Sequence, residues 1–163
     1  LPMPGAEAAD GLKALFVKNS GLVESVPMTV ESVNGEEMCA LSLQHNSYYT
    51  VVSKAVAEAA IKASNAKIAA GVRGSKVVKL NAKVSAGKVS LTWAKQGGYK
   101  LDGYQVWRSA AKASGYRLVK TTLTAKYTGK MKAGRTYYYK VRGFRTVGGE
   151  KVFTPWKVLK VKA

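Results

Sequence analysis

A single cysteine and a single histidine leave this sequence of 163 residues little chemistry to work with. Cys39 can form no intramolecular disulfide, so the cysteine count points neither toward an oxidising compartment nor away from one. It shares the stretch EMCALSLQHNSYYTVV (37–52) with His45, and a thiol beside an imidazole would suggest a nucleophile and its base. On an extended strand the two fall on one face with Leu41 and Leu43, but six steps of roughly 3.3 Å set them about 20 Å apart. A nucleophile and its base need to meet at about 3 Å. Cys39 therefore reads as a small apolar packing residue. One Cys with one His also falls short of a tetrahedral metal shell.

Acids are scarce as well. Only nine Asp and Glu are present, and Glu36-Glu37 flanks a turn, as a solvated pair would. The glycine pairs Gly97-Gly98 and Gly148-Gly149 lack the following helix that a phosphate cradle requires and read as turns. No apolar run approaches the ~20 residues of a membrane span. The opening LPMPGAEAAD has neither an initiator Met nor a basic-then-apolar signal, so residues 1–10 read as a leader or linker in a piece of a longer protein. These absences predict no catalytic residue, no cofactor and no metal: a chain that is not an enzyme.

Positive charge is what the sequence has in excess. Lys and Arg number 27, for a net charge of +18. Residues 1–74 carry six basic and seven acidic side chains, whereas residues 75–163 carry 21 basic ones against Asp102 and Glu150 alone. So abrupt a change suggests two units.

The hydropathy pattern divides the chain in the same way. Residues 11–52 read as short antiparallel strands, LKALFVK, LVESV, MTVESV, EMCALSL and SYYTVV, with Asn34-Gly35 as a strong hairpin signal. Residues 53–70 change to an alanine-rich helix, with Ser53 as its N-cap and Ala57, Ile61, Ser64 and Ile68 as a narrow buried stripe. Gly71 stands where a helix would stop, and residues 71–76 read as a hinge. From Val77 to the end, alternation of period two returns in seven segments. Val89, Leu91 and Trp93 face one way; Tyr104 and Val106 oppose Gln105 and Trp107; Tyr137, Tyr139 and Val141 oppose Tyr138, Lys140 and Arg142.

Residues 77–163 resemble a fibronectin type III domain, a seven-stranded β-sandwich. The resemblance rests on KVSLTWA with Trp93 at the end of strand B, on LDGYQVWRS as strand C, with Tyr104 in its core pattern, and on MKAGRTYYYKVRGF as the approach to strand F, where Met131, Gly134 and Tyr137 match an apolar–x–x–Gly–x–x–Tyr pattern. It implies that Tyr137 is the corner tyrosine, its hydroxyl tied to nearby backbone. The lysine-rich style is similar to modules of Gram-positive surface proteins and secreted enzymes. Residues 11–52 resemble the C-terminal part of an immunoglobulin-like bacterial surface module, through His45, Ser47, Tyr49 and Val51-Val52, with Asn46 where that pattern has Phe. The fold expected is mainly β: a small antiparallel segment, one connecting helix, then the sandwich.

In the fibronectin order strands C and F are neighbours, so Trp107, Tyr138, Lys140 and Arg142 should share one outward patch, bordered by Phe153 and Trp156. Two readings stay open. The patch could hold a ligand, by stacking on sugar rings and attracting anions, or its aromatic and cationic pairs could simply stabilise the sheet. No RGD tripeptide is present. The charge favours polyanions, the nearest being anionic cell-wall polymers or polysaccharide, and no element looks built to read nucleic-acid bases. The expected role is a non-catalytic extracellular module, on the cell surface or secreted, acting as spacer, tether or adhesion domain, with protein partners also open. The alternative is the C-terminal accessory tail of a secreted enzyme whose catalytic domain lies upstream.

Overall fold

The computed structural model describes residues 11–41 and 48–163. His45, Leu43, Asn46 and Ser47 lie outside the described residues, as does the leader 1–10. The chain divides into two units, residues 1–66 and 67–163, the boundary falling within the one helix of the described residues.

In the first unit, strands β1 (Leu12–Val17), β2 (Val23–Val26) and β5 (Tyr48–Ser53) form an antiparallel sheet in the order β2-β1-β5. Strands β3 (Met28–Val33) and β4 (Glu36–Leu41) form a separate hairpin, closed by Asn34 and Gly35 at φ 57° and 83°. Both turn residues thus take the left-handed conformation that Asn-Gly supplies at low cost. Cys39 lies opposite Val30 in this hairpin and is only half-buried. The expected alternation is weak here, because Met38, Cys39, Ala40 and Leu41 are all half-buried and neither face of the hairpin is sealed.

Helix α1 spans Lys54–Gly74. The Ser53 hydroxyl accepts from the Val56 N–H at 3.4 Å, as an N-cap does, and the predicted stripe is the covered face: Ala57 and Ser64 are buried, Ile61 and Ile68 half-buried. Ser64 Oγ accepts from the Val23 N–H at 3.3 Å, tying the helix to β2. The expected hinge at 71–76 is a correction. Gly71 lies inside the helix, where a Cβ would fall 2.7 Å from the Tyr99 ring, so this glycine serves close approach rather than termination. The helix ends instead at Ser75, whose Oγ donates to the carbonyls of Gly71 at 2.9 Å and Gly97 at 3.0 Å.

The second unit holds two sheets. One has the order β10-β7-β6, from β6 (Lys76–Ser85), β7 (Lys88–Gln96) and β10 (Lys126–Lys130). The other is built on β11 (Thr136–Val147), which pairs with β8 (Gly103–Ser109), and β8 in turn with β9 (Arg117–Thr122). The last expected segment is two strands rather than one. Both β12 (Glu150–Phe153) and β13 (Lys157–Lys162) pair with β11, and Thr154-Pro155-Trp156 interrupts them. Pro155 has no N–H for a ladder, so the chain must leave the sheet there.

Alternation is clean in this unit. Val89, Leu91, Val106, Tyr139 and Val141 are fully buried in one core, and Trp93 meets Tyr104 edge-on at 5.4 Å between ring centroids. The Tyr139 hydroxyl is buried and makes no hydrogen bond among the described residues. Burial raises its pKa, and the nearby Arg108 guanidinium only partly opposes this. Tyr137 lies beneath Arg108, whose Cζ is 5.0 Å from the ring centroid. The backbone tie expected for the Tyr137 hydroxyl is not among the hydrogen bonds of the described residues; the ring serves as a seat for Arg108 instead.

Two predictions follow from this packing, and tryptophan fluorescence reads both, because Trp93, Trp107 and Trp156 all belong to the second unit. Gly98 and Gly134 have similar positive φ, 61° and 68°, but a Cβ at Gly98 would stand 2.0 Å from Ser75 Oγ while Gly134 has open space. Urea unfolding should show Gly134→Ala costing about 1 kcal/mol from backbone strain alone, and Gly98→Ala costing at least about 1 kcal/mol more; equal costs would contradict the close packing. Tyr139→Phe removes an unsatisfied hydroxyl and should leave stability at pH 7 equal or higher. A raised folded-state pKa gives stability that is complete below the ordinary tyrosine pKa of about 10 and is lost as pH rises through the folded value. The variant should therefore lose less stability above pH 10 than the parent, and unchanged alkaline sensitivity would exclude Tyr139 as its source.

Candidate functional site: a cation and aromatic ladder on the outward sheet face

The core fixes the opposite face. With Tyr139 and Val141 turned inward, Lys140 and Arg142 of β11 turn outward, directly across from Trp107 and Gln105 of β8. Tyr138 occupies the next outward position, opposite Ser109 on one side and Lys160 of β13 on the other. Phe144 follows Arg142 on this face and pairs with Phe153 of β12, their centroids 6.4 Å apart.

The side chains interlock as a ladder. Lys140 Nζ stands 4.3 Å from the Tyr116 ring centroid, 4.5 Å from that of Trp156 and 5.3 Å from that of Trp107. Trp107 and Trp156 meet edge to face at 6.0 Å. Arg142 Cζ lies 3.5 Å from the Phe153 centroid and 4.3 Å from that of Trp156. Trp156 thus touches both cations. Arg142 also donates from Nε and Nη2 to Gln105 Oε1, at 3.0 and 2.9 Å. Partial burial lowers the Arg142 pKa, although a guanidinium remains charged in any ordinary buffer. Each such cation–ring contact contributes about 0.5–2 kcal/mol, depending on desolvation.

No carboxylate takes part. Among the described residues, neither Lys140 nor Arg142 forms an ion pair. Of the two acids beyond residue 74, Asp102 accepts from the Thr146 N–H at 2.7 Å, and Glu150 is exposed at the start of β12. No group of three or more His, Cys, Asp or Glu gathers among the described residues. A hollow of about 510 Å³ in this unit is lined by Lys132, Gly134, Arg135 and Tyr137 and includes none of the ladder residues. The ladder lies on the outward face of β8 and β11.

Five of the six predicted patch residues, Trp107, Lys140, Arg142, Phe153 and Trp156, meet in this ladder. Tyr138 joins at its end, beside Tyr116, whose pKa is raised by burial and then by Tyr138. Sequence reasoning missed Tyr116 and Gln105. Gln105 was legible, since its alternation with Val106 places it outward. Tyr116 lies in the β8–β9 connection, where no periodicity assigns a face. Cys39 belongs to the first unit.

No family model matches this sequence, and no curated protein matches it. Among solved structures, the chain is similar to the fibronectin type III domain of the human KIAA0970 protein, with a TM-score of 0.50 at 19% identity, covering 62% of this chain and 80% of that one. It is also similar to an Fn3-like protein from Clostridium thermocellum, at 25% identity over 51% of this chain and 88% of that chain, TM-score 0.39. The pectate lyase PelI of Erwinia chrysanthemi matches at 13% identity over 51% of this chain and 27% of its own, TM-score 0.39. No helix among the described residues is long and apolar enough to cross a membrane. With one sheet of β10-β7-β6 and another of β9-β8-β11 continued by β12 and β13, the second unit has the fold of a fibronectin type III domain.

Proposed function

We propose that this chain is a non-catalytic extracellular module of a Gram-positive surface or secreted protein, and that the outward face of β8 and β11 binds anionic cell-envelope polymers. The observation that carries this reading is the pair of fixed cations, Lys140 and Arg142, set among aromatic rings with no carboxylate partner among the described residues. An outward sheet face suits a polymer better than a small molecule, because a small ligand needs enclosure to be held. The surrounding charge adds a long-range attraction that raises the encounter rate and fades with salt. The accessory tail of a secreted enzyme remains the second reading, and the reading frame upstream of Leu1 distinguishes it. In either case the chain itself performs no catalysis; a hydrolase activity abolished by Cys39→Ala would overturn that.

Binding to purified Gram-positive cell walls across a salt series tests the face directly. Reversing charge at Lys140 and Arg142 together (K140E/R142E) should weaken binding by about tenfold or more, since charge-assisted contacts are lost along with the field. The control is K83E/K88E, which changes net charge equally on exposed positions of β6 and β7. It should weaken binding only modestly. Equal effects of the two pairs would remove the ladder from the account and leave general charge alone.

A further inference from the structure

Aromatic rings on an exposed sheet face ordinarily serve as platforms on which sugars or bases stack. Here the platform is already in use. Lys140 occupies the space among Tyr116, Trp156 and Trp107, and Arg142 lies against Phe153 and Trp156. A neutral sugar stacking on the ring faces that these cations occupy would have to displace one of them, exchanging one ring contact for another.

The cations, by contrast, are short of counter-charge. Two N–H groups of Arg142 are taken by the neutral carbonyl of Gln105, and the rest of its donor set faces no acid among the described residues. A guanidinium seated on a ring keeps N–H groups for an oxyanion, and for Arg142 those not taken by Gln105, chiefly on Nη1, can form charge-assisted hydrogen bonds with it. Trp156 is what brings Arg142 and Lys140 into one arrangement, since both stand within 4.5 Å of its ring centroid. It can do so because the chain leaves the sheet between β12 and β13. There Thr154 is buried and doubly bonded to Gly143: its N–H donates to the Gly143 carbonyl at 3.0 Å and its Oγ1 accepts from the Gly143 N–H at 2.9 Å.

Resting on the reading of this face as an anion-binding surface, we infer that it selects polymers whose units carry an oxyanion, carboxylate or phosphodiester, against neutral polysaccharides, and that Trp156 is the positioning residue for that selectivity. The specificity lies in the geometry of Arg142 as well as in its charge.

The full chain is titrated with poly(glycerol phosphate), with polygalacturonate and with neutral dextran, the first two separating phosphodiester from carboxylate as the source of the oxyanion. The wild-type chain should bind at least one of the charged polymers and show no measurable affinity for dextran. Arg142→Lys keeps the charge but loses the planar fork, and should weaken binding by about tenfold with little change in salt dependence. Trp156→Ala should do the same, and Trp156→Phe should restore most of the affinity. The dispersed backbone amide spectrum of the sandwich reports whether each variant keeps its fold. Dextran binding as tight as the charged polymers would overturn the inference. So would wild-type affinity in both Arg142→Lys and Trp156→Ala, even with K140E/R142E defective; the anion-binding reading would then survive without its specificity. If neither charged polymer binds, that reading fails first and the inference with it.

Discussion

The register of β11 is the constraint on which the second unit depends. Its twelve residues pair with β8 along one edge and with β13 and β12 along the other, so one strand sets the position of three. Because side chains alternate at each step, a slip of one residue would carry Lys140 and Arg142 into the core and expel Tyr139 and Val141. Burying an unpaired charge costs several kcal/mol, so that alternative is strongly excluded. The outward ladder is thus specified by the hydrophobic core behind it. It needs no separate device to hold its register.

The far end of β11 shows how a local irregularity serves the same face. Gly143 lies where a Cβ would stand 2.3 Å from the Leu101 side chain and 3.4 Å from that of Thr154, so glycine lets these neighbours close without displacing Leu101. Its two bonds to Thr154 replace the ladder pairing that Pro155 cannot make, and regular pairing resumes at Lys157. An unbroken strand would have held its side chains at fixed alternating positions. The interruption lets Trp156 reach across to residues of two different rows, Lys140 and Arg142.

What the sequence disclosed and what it hid follow from the range of the interactions involved. Val89, Leu91 and Trp93, or Tyr139 and Val141, declare their face by period alone, and the sandwich with its outward patch could be read from them. The end of α1 could not. Gly71 carries the signature of a helix stop, but its reason is a contact with Tyr99, twenty-eight residues on, which no local pattern reveals. Tyr116 was hidden for a similar reason, since a loop residue has no period to assign its direction. In the first unit, alternation is blurred because the β3–β4 hairpin seals neither face, and Cys39 is half-buried where a core position was expected.

The two readings of the ladder, as internal stabilisation or as a binding face, need not compete. A free Lys or Arg side chain carries about 2 kcal/mol of rotamer entropy, and a ligand that immobilises it must overcome that loss. Here Tyr116, Trp107 and Trp156 hold Lys140, and Phe153, Trp156 and Gln105 hold Arg142, so much of the loss is incurred on folding. Each ring contact that steadies the sheet therefore also lowers the cost of binding. Steadying two like charges side by side is unfavourable until something negative arrives, since no acid of the second unit reaches them: Asp102 is committed to the Thr146 amide and Glu150 stays in solvent. Internal stabilisation alone would be served as well by uncharged residues against the same rings. Two cations held in place, with no acid of the second unit against them, are what the proposed anion-binding face requires.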